Sequence, residues 1–303
     1  MIHLEVDQNT KEYELYENTD YQSFWKGTQQ VKLDELEQLL VREMLHLPAK
    51  RIIDIGCGYG RLLDCYQESC EEMILLDSSS SLLKQAYQKT NGRAICVRCD
   101  LTHTPFTDSS FDQIMMIRVF HHLPDSKAVM KELNRLLING GNLLFSYCNK
   151  KNLERIARWM IGKNPYNPFD LETNWVWNVF FMHHPHYVHD ILLESSFSEF
   201  QEKGAGIVDK IAGKLSRWGK LLPPGKMLAG LFAGVAWAPW IFCDAKKTGN
   251  RPESELAPLE SIFRCIECFS PLVRLSDGFQ CTACSRIFPL KDGVFDFINN
   301  DRE

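Results

Sequence analysis

Four cysteines in the last part of the chain have the spacing of a metal site. The pairs Cys265/Cys268 and Cys281/Cys284 are two CxxC turns separated by twelve residues. Each turn can present two thiolates to one metal ion, and four thiolates complete the tetrahedral coordination of zinc. Since sulfur would occupy every position, such a site has no place for a substrate. The spacing predicts a structural zinc ribbon at residues 261–303, whose metal supplies free energy that so small a segment cannot obtain from a core.

A glycine loop and two carboxylates form a second group of residues that could bind a ligand. The loop DIGCGYG covers residues 54–60, and its three glycines allow a tight turn that brings backbone close to a ligand. We expect a helix from Arg61 to Ser69, whose N-terminus can hold a negative group. Asp77 ends the second apolar run, where it can bond ribose hydroxyls, and Asp100 ends the third, where an adenine amino group would sit. A dinucleotide site is the competing interpretation of such a loop.

Histidines form a third group, after the fourth apolar run and again farther along the chain. His121 and His122 in RVFHHLPD are candidate catalytic bases, because histidine titrates near neutral pH. Capping of the next helix, or packing beneath a cofactor, is the alternative for each. The stretch MHHPHYVHD adds four histidines, for which the wall of a substrate pocket is favoured over a metal site because no cysteine stands nearby. Core packing is the alternative for the aromatic members of the predicted pocket, which consists of Trp25, His183, His186 and Tyr187.

Short apolar runs that alternate with longer amphipathic ones position these groups. Runs such as RIIDIG and MILLD predict buried strands, whereas SLLKQAYQK and SKAVMKELNRLLING predict helices. Alternation of this kind implies βαβ units and parallel strands. We therefore predict an α/β fold, a doubly wound, Rossmann-like, seven-stranded and mostly parallel sheet with a small C-terminal zinc ribbon. FSEFQEKG and WIFCDAKKT are its predicted sixth and seventh strands.

The chain divides on composition into four parts. They are a cap helix region at residues 1–49, a main domain at 50–247, a linker rich in proline, glycine and charges at 248–260, and the ribbon at 261–303. Two insertions interrupt the main domain, at residues 162–186 and 208–238. The second is basic, with five lysines and arginines against Asp209. A basic segment of this kind could bind a lipid-like substrate, a membrane surface or an RNA backbone, and a solvated lid helix is the alternative interpretation.

Composition and cysteine use indicate the compartment. The first twenty residues are acidic and polar, so no secretory signal is expected there, and an odd count of eleven cysteines favours reduced thiols in a cytoplasmic protein. The uncharged run Met227–Cys243 has 17 residues, which is fewer than the roughly 20 of a membrane span, and Pro239 interrupts it. A helix followed by a buried strand is favoured over a peripheral membrane contact. The net charge of −5 argues against broad affinity for nucleic acid.

Residues 50–147 resemble class I S-adenosylmethionine-dependent methyltransferases of the type 11, UbiE-like subgroup. The matching parts are the glycine loop, Asp77, CDLTHTPFTDSSFDQI, FHHLPD and LLINGGNLLFS. The resemblance implies that the loop surrounds the methionine part of the cofactor, that Asp77 takes the ribose diol, and that Asp100 takes the adenine. The cofactor-binding residues that it implies are Asp54, Gly56, Cys57, Gly58, Gly60, Asp77, Ser78, Asp100, Leu101 and Arg118.

The segment after the fourth strand bears on the methyl acceptor. It lacks the Asn-Pro-Pro-Tyr type of motif found in enzymes that methylate planar amino groups, and HHLPD resembles the subgroup acting on quinones, lipids and small metabolites. The first hypothesis is a methyltransferase acting on a small-molecule or lipid-like acceptor, at oxygen. A tRNA or rRNA methyltransferase is the alternative within the same enzyme class. A non-catalytic, cofactor-binding adaptor that uses the ribbon for protein partners is the alternative from another class.

The segment LAPLESIF through VFDFI resembles the small zinc-ribbon proteins that activate methyltransferases. Its four cysteines match, and FPLKDGVFDFI resembles that family's YPIRDGIP turn. Those activators bind a methyltransferase as a separate chain, often by addition to a sheet edge, in complexes that modify tRNA, rRNA and a translation factor. The resemblance implies that the ribbon packs on its own methyltransferase domain, with the linker making the association intramolecular. The acidic residues Glu260, Glu267 and Asp277 disfavour a nucleic-acid finger.

Overall fold

The computed structural model describes residues 21–176, 180–206, 237–250 and 256–298. Most of the expected basic insertion, the apolar run before Trp237 and the middle of the expected linker therefore lie outside the described residues. In the part that is described, no helix is both long enough and apolar enough to cross a membrane.

Helices and strands alternate through the described residues. The α-helices are α1 Tyr21–Trp25, α2 Thr28–Met44, α3 Ser80–Lys89, α4 Ser126–Leu136, α5 Leu153–Met160 and α6 Pro185–Glu194. The strands before the ribbon are β1 Ala49–Ile55, β2 Cys70–Asp77, β3 Ile95–Arg98, β4 Phe111–Met116, β5 Leu137–Cys148, β6 Asn174–Val176, β7 Phe180–Met182, β8 Phe197–Ala205 and β9 Trp240–Lys247. The ribbon strands are β10 Leu272–Leu275, β11 Gly278–Cys281, β12 Ile287–Lys291 and β13 Val294–Asp296.

The predicted seven-stranded sheet is present, with the order β3-β2-β1-β4-β5-β9-β8. Strands β1 to β5 pair in parallel, whereas β9 is antiparallel to both of its neighbours. Successive residues of β1 enter opposite core clusters, since Ile52 packs with α2 and α3 while Ile53 packs with α4 and α6. Because both faces are covered by helices, the sheet is doubly wound, and the predicted fold class is confirmed.

The ribbon continues the same sheet beyond β3. Strand β13 pairs in parallel with β3 through Val294↔Cys96, Phe295↔Val97 and Asp296↔Arg98, so that eleven strands form one sheet. Five ribbon phenylalanines share a core cluster with β1 and β4: Phe263, Phe279, Phe288, Phe295 and Phe297. Phe263 packs on Phe106 at 5.4 Å between ring centroids. Without β13, β3 would be an edge strand with a row of unpaired backbone groups.

Three segments differ from the sequence expectation. The expected helix from Arg61 to Ser69 is a series of turns around a short 3₁₀ segment, Leu63–Cys65, because backbone bonds there span three residues and β2 already begins at Cys70. The insertion at 162–186, for which no strand was predicted, contains a hairpin, β6 with β7. The described part of the predicted cap helix region contains two helices, α1 and α2, because Gly27 between them has extended backbone angles.

Candidate functional site

The glycine loop lies at the C-terminal end of β1. Gly56, Gly58 and Gly60 have φ angles of 69°, 54° and 75°, the left-handed region that favours glycine. A Cβ on Gly56 would lie 2.1 Å from a methyl carbon of Val119. The backbone N–H of Gly56 donates to the carbonyl of Leu76 at 2.7 Å, which holds the loop against the end of β2. The loop therefore depends on its glycines for backbone conformation and for packing.

The two predicted carboxylates beyond the loop lie at the C-terminal ends of β2 and β3. Asp77 accepts from the backbone N–H of Gly58 at 2.8 Å and from that of Ser79 at 2.9 Å. Asp100 is exposed and accepts from the N–H of Thr102 at 2.8 Å, while the neighbouring Leu101 is buried. Because β1, β2 and β3 are neighbours, these groups share one edge of the sheet. Such an edge suits a ligand with a hydroxyl pair and a planar polar base.

Asp54 lies beneath the loop with its side chain buried. The hydroxyl of Tyr66 donates to its carboxylate at 2.7 Å. Burial raises the pKa of Asp54 from 3.8 to about 7, opposed by the Tyr66 hydrogen bond and reinforced by the charge of Asp77. A carboxyl group with such a pKa ionises readily when a cation is brought beside it.

A buried carboxylate joins two arginines of the site to helix α2. Glu37 is fully buried, and it accepts from Nε of Arg118 at 2.7 Å and from an Arg61 guanidinium nitrogen at 2.8 Å. The Arg61 guanidinium lies 4.0 Å from the ring centroid of Trp25, and that of Arg118 lies 3.5 Å from the ring of Trp240. Helix α2 is thereby held over the ends of β1 and β4.

His121 lies in an aromatic cluster that follows β4. Its ring centroid is 4.0 Å from that of His122, 4.9 Å from Phe180 and 4.8 Å from Trp240. His121 is buried, and its Nδ1 has no hydrogen-bond partner among the described residues. Burial, with smaller contributions from His122 and Arg118, holds the pKa of His121 well below 6.5. The ring is therefore neutral at pH 7 and can accept a hydrogen bond.

The second histidine group divides between the protein interior and the surface. His183 is buried and stacks on Tyr187 with 5.8 Å between ring centroids, and burial lowers its pKa to about 3. His184 caps α6 by accepting from the N–H of His186 at 3.2 Å. His186 is exposed, whereas the Tyr187 hydroxyl shares a hydrogen bond of 2.8 Å with Ser126. His183 and Tyr187 thus lie together beside the aromatic cluster, and Trp25 lies against Arg61.

Four side chains of this region are absent from the predicted set: Glu37, Arg61, Phe180 and Trp240. Glu37 could have been found from the sequence, because it lies on the same face of the predicted helix as Val41 and Met44. An acidic residue on the apolar face of a helix indicates a buried carboxylate that pairs with a cation inside the protein. Trp240 had no such signal in the sequence, because only the folded sheet brings the start of β9 beside His121.

The four predicted metal ligands lie together. Their sulfur atoms are all within 4.8 Å of one another, with 3.7 Å between Cys265 and Cys284 and 3.4 Å between Cys268 and Cys281. Four sulfurs around one zinc ion would be about 3.8 Å apart, given a Zn–S distance of about 2.3 Å. The N–H groups of Ala283 and Cys284 donate to the Cys281 sulfur at 3.4 Å. The donor set therefore fits one tetrahedral zinc ion.

Comparison with known proteins gives a family for the central part of the chain. Residues 53–145 match the model of the methyltransferase domain family. A ubiquinone biosynthesis O-methyltransferase of Idiomarina loihiensis is 29% identical over 117 residues, which are 37% of this chain and 46% of that protein. A malonyl-[acyl-carrier protein] O-methyltransferase of Hamiltonella defensa is 28% identical over 107 residues, 35% of this chain and 41% of its own. This chain thus spans about half the length of these relatives.

Solved structures show the same fold. An S-adenosylmethionine-dependent methyltransferase from Thermotoga maritima covers 75% of this chain and 94% of its own, with a TM-score of 0.51 and 15% identity. A chain from a complex between the Haloferax volcanii Trm112 methyltransferase activator and a methyltransferase covers 76% of this chain and 99% of its own, with a TM-score of 0.51 and 13% identity. At these identities the likeness concerns the fold. Residues 53–145 are thus a methyltransferase domain by sequence, and the fold is that of solved S-adenosylmethionine-dependent methyltransferases.

Proposed function

We propose that this chain transfers a methyl group from S-adenosylmethionine to an oxygen of a small-molecule or lipid-like acceptor. The observation that carries the proposal is the hydrogen bond of 2.8 Å between Asp77 and the N–H of Gly58, which joins the glycine loop to an acidic strand end inside the matched domain. When bound, the cofactor supplies a methyl group on a positively charged sulfur. The residues of the chain bind it, orient the acceptor and exclude water.

The cofactor half of the site is built from the loop and the strand ends. Asp54, Gly56, Cys57, Gly58 and Gly60 would surround the amino-acid end, where an ammonium group favours the ionised form of Asp54. The ribose and the adenine would be held by two further pairs, Asp77 with Ser78 and Asp100 with Leu101.

Arg118 has a different role in the proposal from the direct cofactor contact that the sequence predicts. Its guanidinium is engaged by Glu37 and stacks on Trp240, and its N–H donates to Ser146 Oγ at 2.9 Å. We assign it a positioning role, in which it fixes α2 and Trp240 around the space beside the loop.

The acceptor half is the aromatic cluster around His121. A neutral imidazole with an unbonded Nδ1 would accept the proton of an acceptor hydroxyl, so that this oxygen could take the methyl group with the thioether of the cofactor as the leaving group. His122 lies beside it with a partly exposed ring, which makes it the second candidate base. His183 and Tyr187 would form the wall of this pocket, with Trp25 on the side of Arg61. The exposed His186 would stand at its rim.

The relatives support oxygen as the acceptor atom. Two of them are O-methyltransferases, one of ubiquinone biosynthesis and one of malonyl-acyl-carrier protein. An aromatic cluster with buried, neutral histidines also suits an apolar acceptor that carries a hydroxyl or carboxyl group better than it suits a polyanion.

The ribbon would serve as a built-in support for the cofactor half. Zinc held by Cys265, Cys268, Cys281 and Cys284 would order the segment that places β13 beside β3. Arg98 at the end of β3 donates to the carbonyl of Ser78 at 2.9 Å and pairs with Asp296 of β13 at 3.1 Å. The ribbon thereby reaches the ribose end of the proposed cofactor site through one arginine.

Incubation of fractionated cell extract with methyl-labelled S-adenosylmethionine and the purified chain tests the proposal. We expect label in organic-extractable material, and its transfer should be at least roughly tenfold slower with His121→Ala. Label in tRNA or rRNA would identify the chain as an RNA methyltransferase instead, the alternative that the ribbon's resemblance to methyltransferase activators and the basic insertion suggest. Cofactor binding without label in any fraction would support the adaptor alternative.

A further inference from the structure

Helix α5 has an apolar face that the described residues leave open. Leu153, Ala157 and Met160 lie on one side of this eight-residue helix, and all three are exposed, Met160 to 73%. Ile161, which follows the helix, is 65% exposed. An amphipathic helix of a globular protein ordinarily turns such a face toward the core. None of the residues of α5 is buried.

The open face belongs to a larger apolar surface. Eight of the thirteen exposed large hydrophobic residues in the described ranges are found here: Leu153, Trp159, Met160, Ile161, Phe169, Leu171, Trp175 and Trp237. We call them the α5 surface. Contacts join its parts, since Trp159 meets Phe169 with 5.7 Å between ring centroids and the N–H of Leu153 donates to the carbonyl of Trp237 at 3.1 Å. Apolar surfaces of this extent with a polar rim mark interaction sites.

The rim of the α5 surface is cationic although the chain carries a net charge of −5. Lys151, Arg155, Arg158 and Lys163 lie along or beside the helix. Three acids accompany them, of which Glu154 pairs with Arg158 at 3.9 Å and Asp170 pairs with Lys150, while Glu172 follows Leu171, so cations still outnumber acids. A helix with aromatic and aliphatic residues on one side and basic residues on the other is the pattern of segments that lie in a membrane interface. Tryptophan, of which the surface has three, favours the headgroup level.

Charge decides among the candidate occupants. Residues 207–226 carry five lysines and arginines and one acid, the same sign of charge as the rim, and the uncharged residues 227–236 have no group that pairs with its cations. An RNA backbone would satisfy the cations but would not cover Met160, Ile161 and Phe169. A second copy would bring two cationic rims together. An anionic lipid surface complements the apolar face and the rim alike.

We propose that the α5 surface docks this chain on bilayers with anionic headgroups, as a peripheral contact. The surface continues to the rim of the aromatic cluster, because Trp175 packs on Phe181 with 4.3 Å between ring centroids and the adjacent Phe180 contacts His121. An acceptor dissolved in the membrane would thus leave the bilayer beside the proposed pocket. That last step rests on the proposed function, whereas the docking does not.

Vesicle flotation with the full chain tests the docking. We expect binding to vesicles of phosphatidylcholine mixed with an equal share of phosphatidylglycerol, roughly tenfold or more tighter than binding to phosphatidylcholine alone. The double variant Met160→Glu/Ile161→Glu should weaken binding at least roughly tenfold, because two apolar anchors become anions. Leu193→Glu is the matched control, since Leu193 is 61% exposed on α6 outside this surface, and it should bind like the unmodified chain.

Several outcomes would overturn the docking proposal. These are absence of binding to either vesicle, or an equal loss with Leu193→Glu. A double variant that changes the oligomeric state, or that lowers the melting temperature without any vesicle binding by the parent chain, would show that protein covers this face. Cofactor binding measured on the same samples separates this test from the proposed function, because the catalytic proposal can hold while docking fails.

Discussion

The two halves of the candidate site are built in different ways. The cofactor half consists of the loop at residues 54–60, Asp77 and Asp100, which lie at the ends of three neighbouring strands and are connected largely through backbone N–H groups. The acceptor half is assembled from side chains of distant segments, among them His121 after β4, Phe180 in β7 and Trp240 in β9. A backbone-built half can serve one cofactor, whereas a half built from side chains can change with the acceptor.

Glu37 connects the two halves. Its carboxylate accepts from Arg61, which follows the glycine loop, and from Arg118, which stacks on Trp240 in the acceptor half. The ribbon reaches the cofactor half through β3 and Arg98. Each of these connections gives a way to perturb one half and observe the other.

Removal of zinc should have the largest effect and should reach the cofactor half first. Structural zinc contributes about 10–16 kcal/mol to small metal-binding peptides, comparable with the whole stability of a domain. We expect Cys281→Ser to lose the metal, to unfold β10 to β13 and to weaken cofactor binding. Metal analysis, circular dichroism and calorimetry measure these three effects.

Cys70→Ser is the control for zinc removal, because Cys70 is a half-buried thiol at the start of β2, away from the cluster. It should retain about one zinc ion per chain. A Cys281→Ser protein that melts like the parent chain would show that the ribbon folds without metal and that the four sulfurs have another role.

Replacement of Glu37 should disturb both halves at once. Glu37→Ala leaves a pair of largely buried arginines without their shared carboxylate, and we expect the free energy of unfolding to fall by about 3–5 kcal/mol. Cofactor affinity and methyl transfer should both decrease, because Arg61 and Arg118 lose their positions. Urea denaturation measures the first effect.

Glu35→Gln is the matched control for Glu37, since Glu35 is an exposed acid on the same helix. Its stability should stay within about 0.5 kcal/mol of the parent chain. If Glu37→Ala kept full stability and lost only methyl transfer, the carboxylate would belong to the acceptor half alone.

Replacement of Asp77 should affect the cofactor half and spare the acceptor half. Hydrogen bonds to a charged group contribute about 1.5–3 kcal/mol, so Asp77→Ala should raise the Kd for S-adenosylmethionine roughly a hundredfold. Asp77→Asn keeps the shape of the side chain and one acceptor oxygen, so its Kd should lie between those of the parent chain and Asp77→Ala. His121→Ala should leave the Kd unchanged in the same calorimetric titration. A parent chain that does not bind the cofactor would contradict the proposed function outright.

The smallest expected effect is a pH dependence that arises in the acceptor half. The pKa of His183 is about 3 in the folded chain against 6.5 for an exposed histidine, because its ring is buried. Below pH 6.5 His183 binds a proton in the unfolded chain but stays neutral in the folded chain. The contribution of His183 to the free energy of unfolding is therefore complete above pH 6.5 and is lost as the pH falls. The expected loss from this residue is about 2 kcal/mol between pH 6.5 and pH 5.

The pH effect is measured as a difference between the parent chain and His183→Gln. The comparison is needed because Asp54, with its pKa raised to about 7, acts in the opposite direction: its contribution to stability falls as the pH rises from 3.8 toward 7. The variant should lose stability less steeply on acidification. Parallel pH curves for the two proteins would show that His183 is protonated in the folded chain.

Sequence patterns were sufficient for features that depend on short stretches. Three glycines with left-handed backbone, an acid at the end of each of the next two strands, and two CxxC turns are local requirements, and the structure places all of them as expected. The apolar periodicity of strands and helices likewise predicted the doubly wound sheet. The prediction of a helix at Arg61–Ser69 was wrong, because apolar spacing over nine residues does not distinguish a helix from consecutive turns.

The sequence by itself determined the chemistry of this chain: glycines that free the loop, carboxylates suited to a ribose, and four thiolates suited to zinc. Tertiary structure alone decided which distant groups meet. It placed Glu37 between two arginines, Trp240 beside His121, β13 against β3, and the apolar side of α5 toward solvent. The physical reason is that a backbone conformation depends on neighbouring residues, whereas contacts between segments far apart in the chain depend on the packing of the whole sheet.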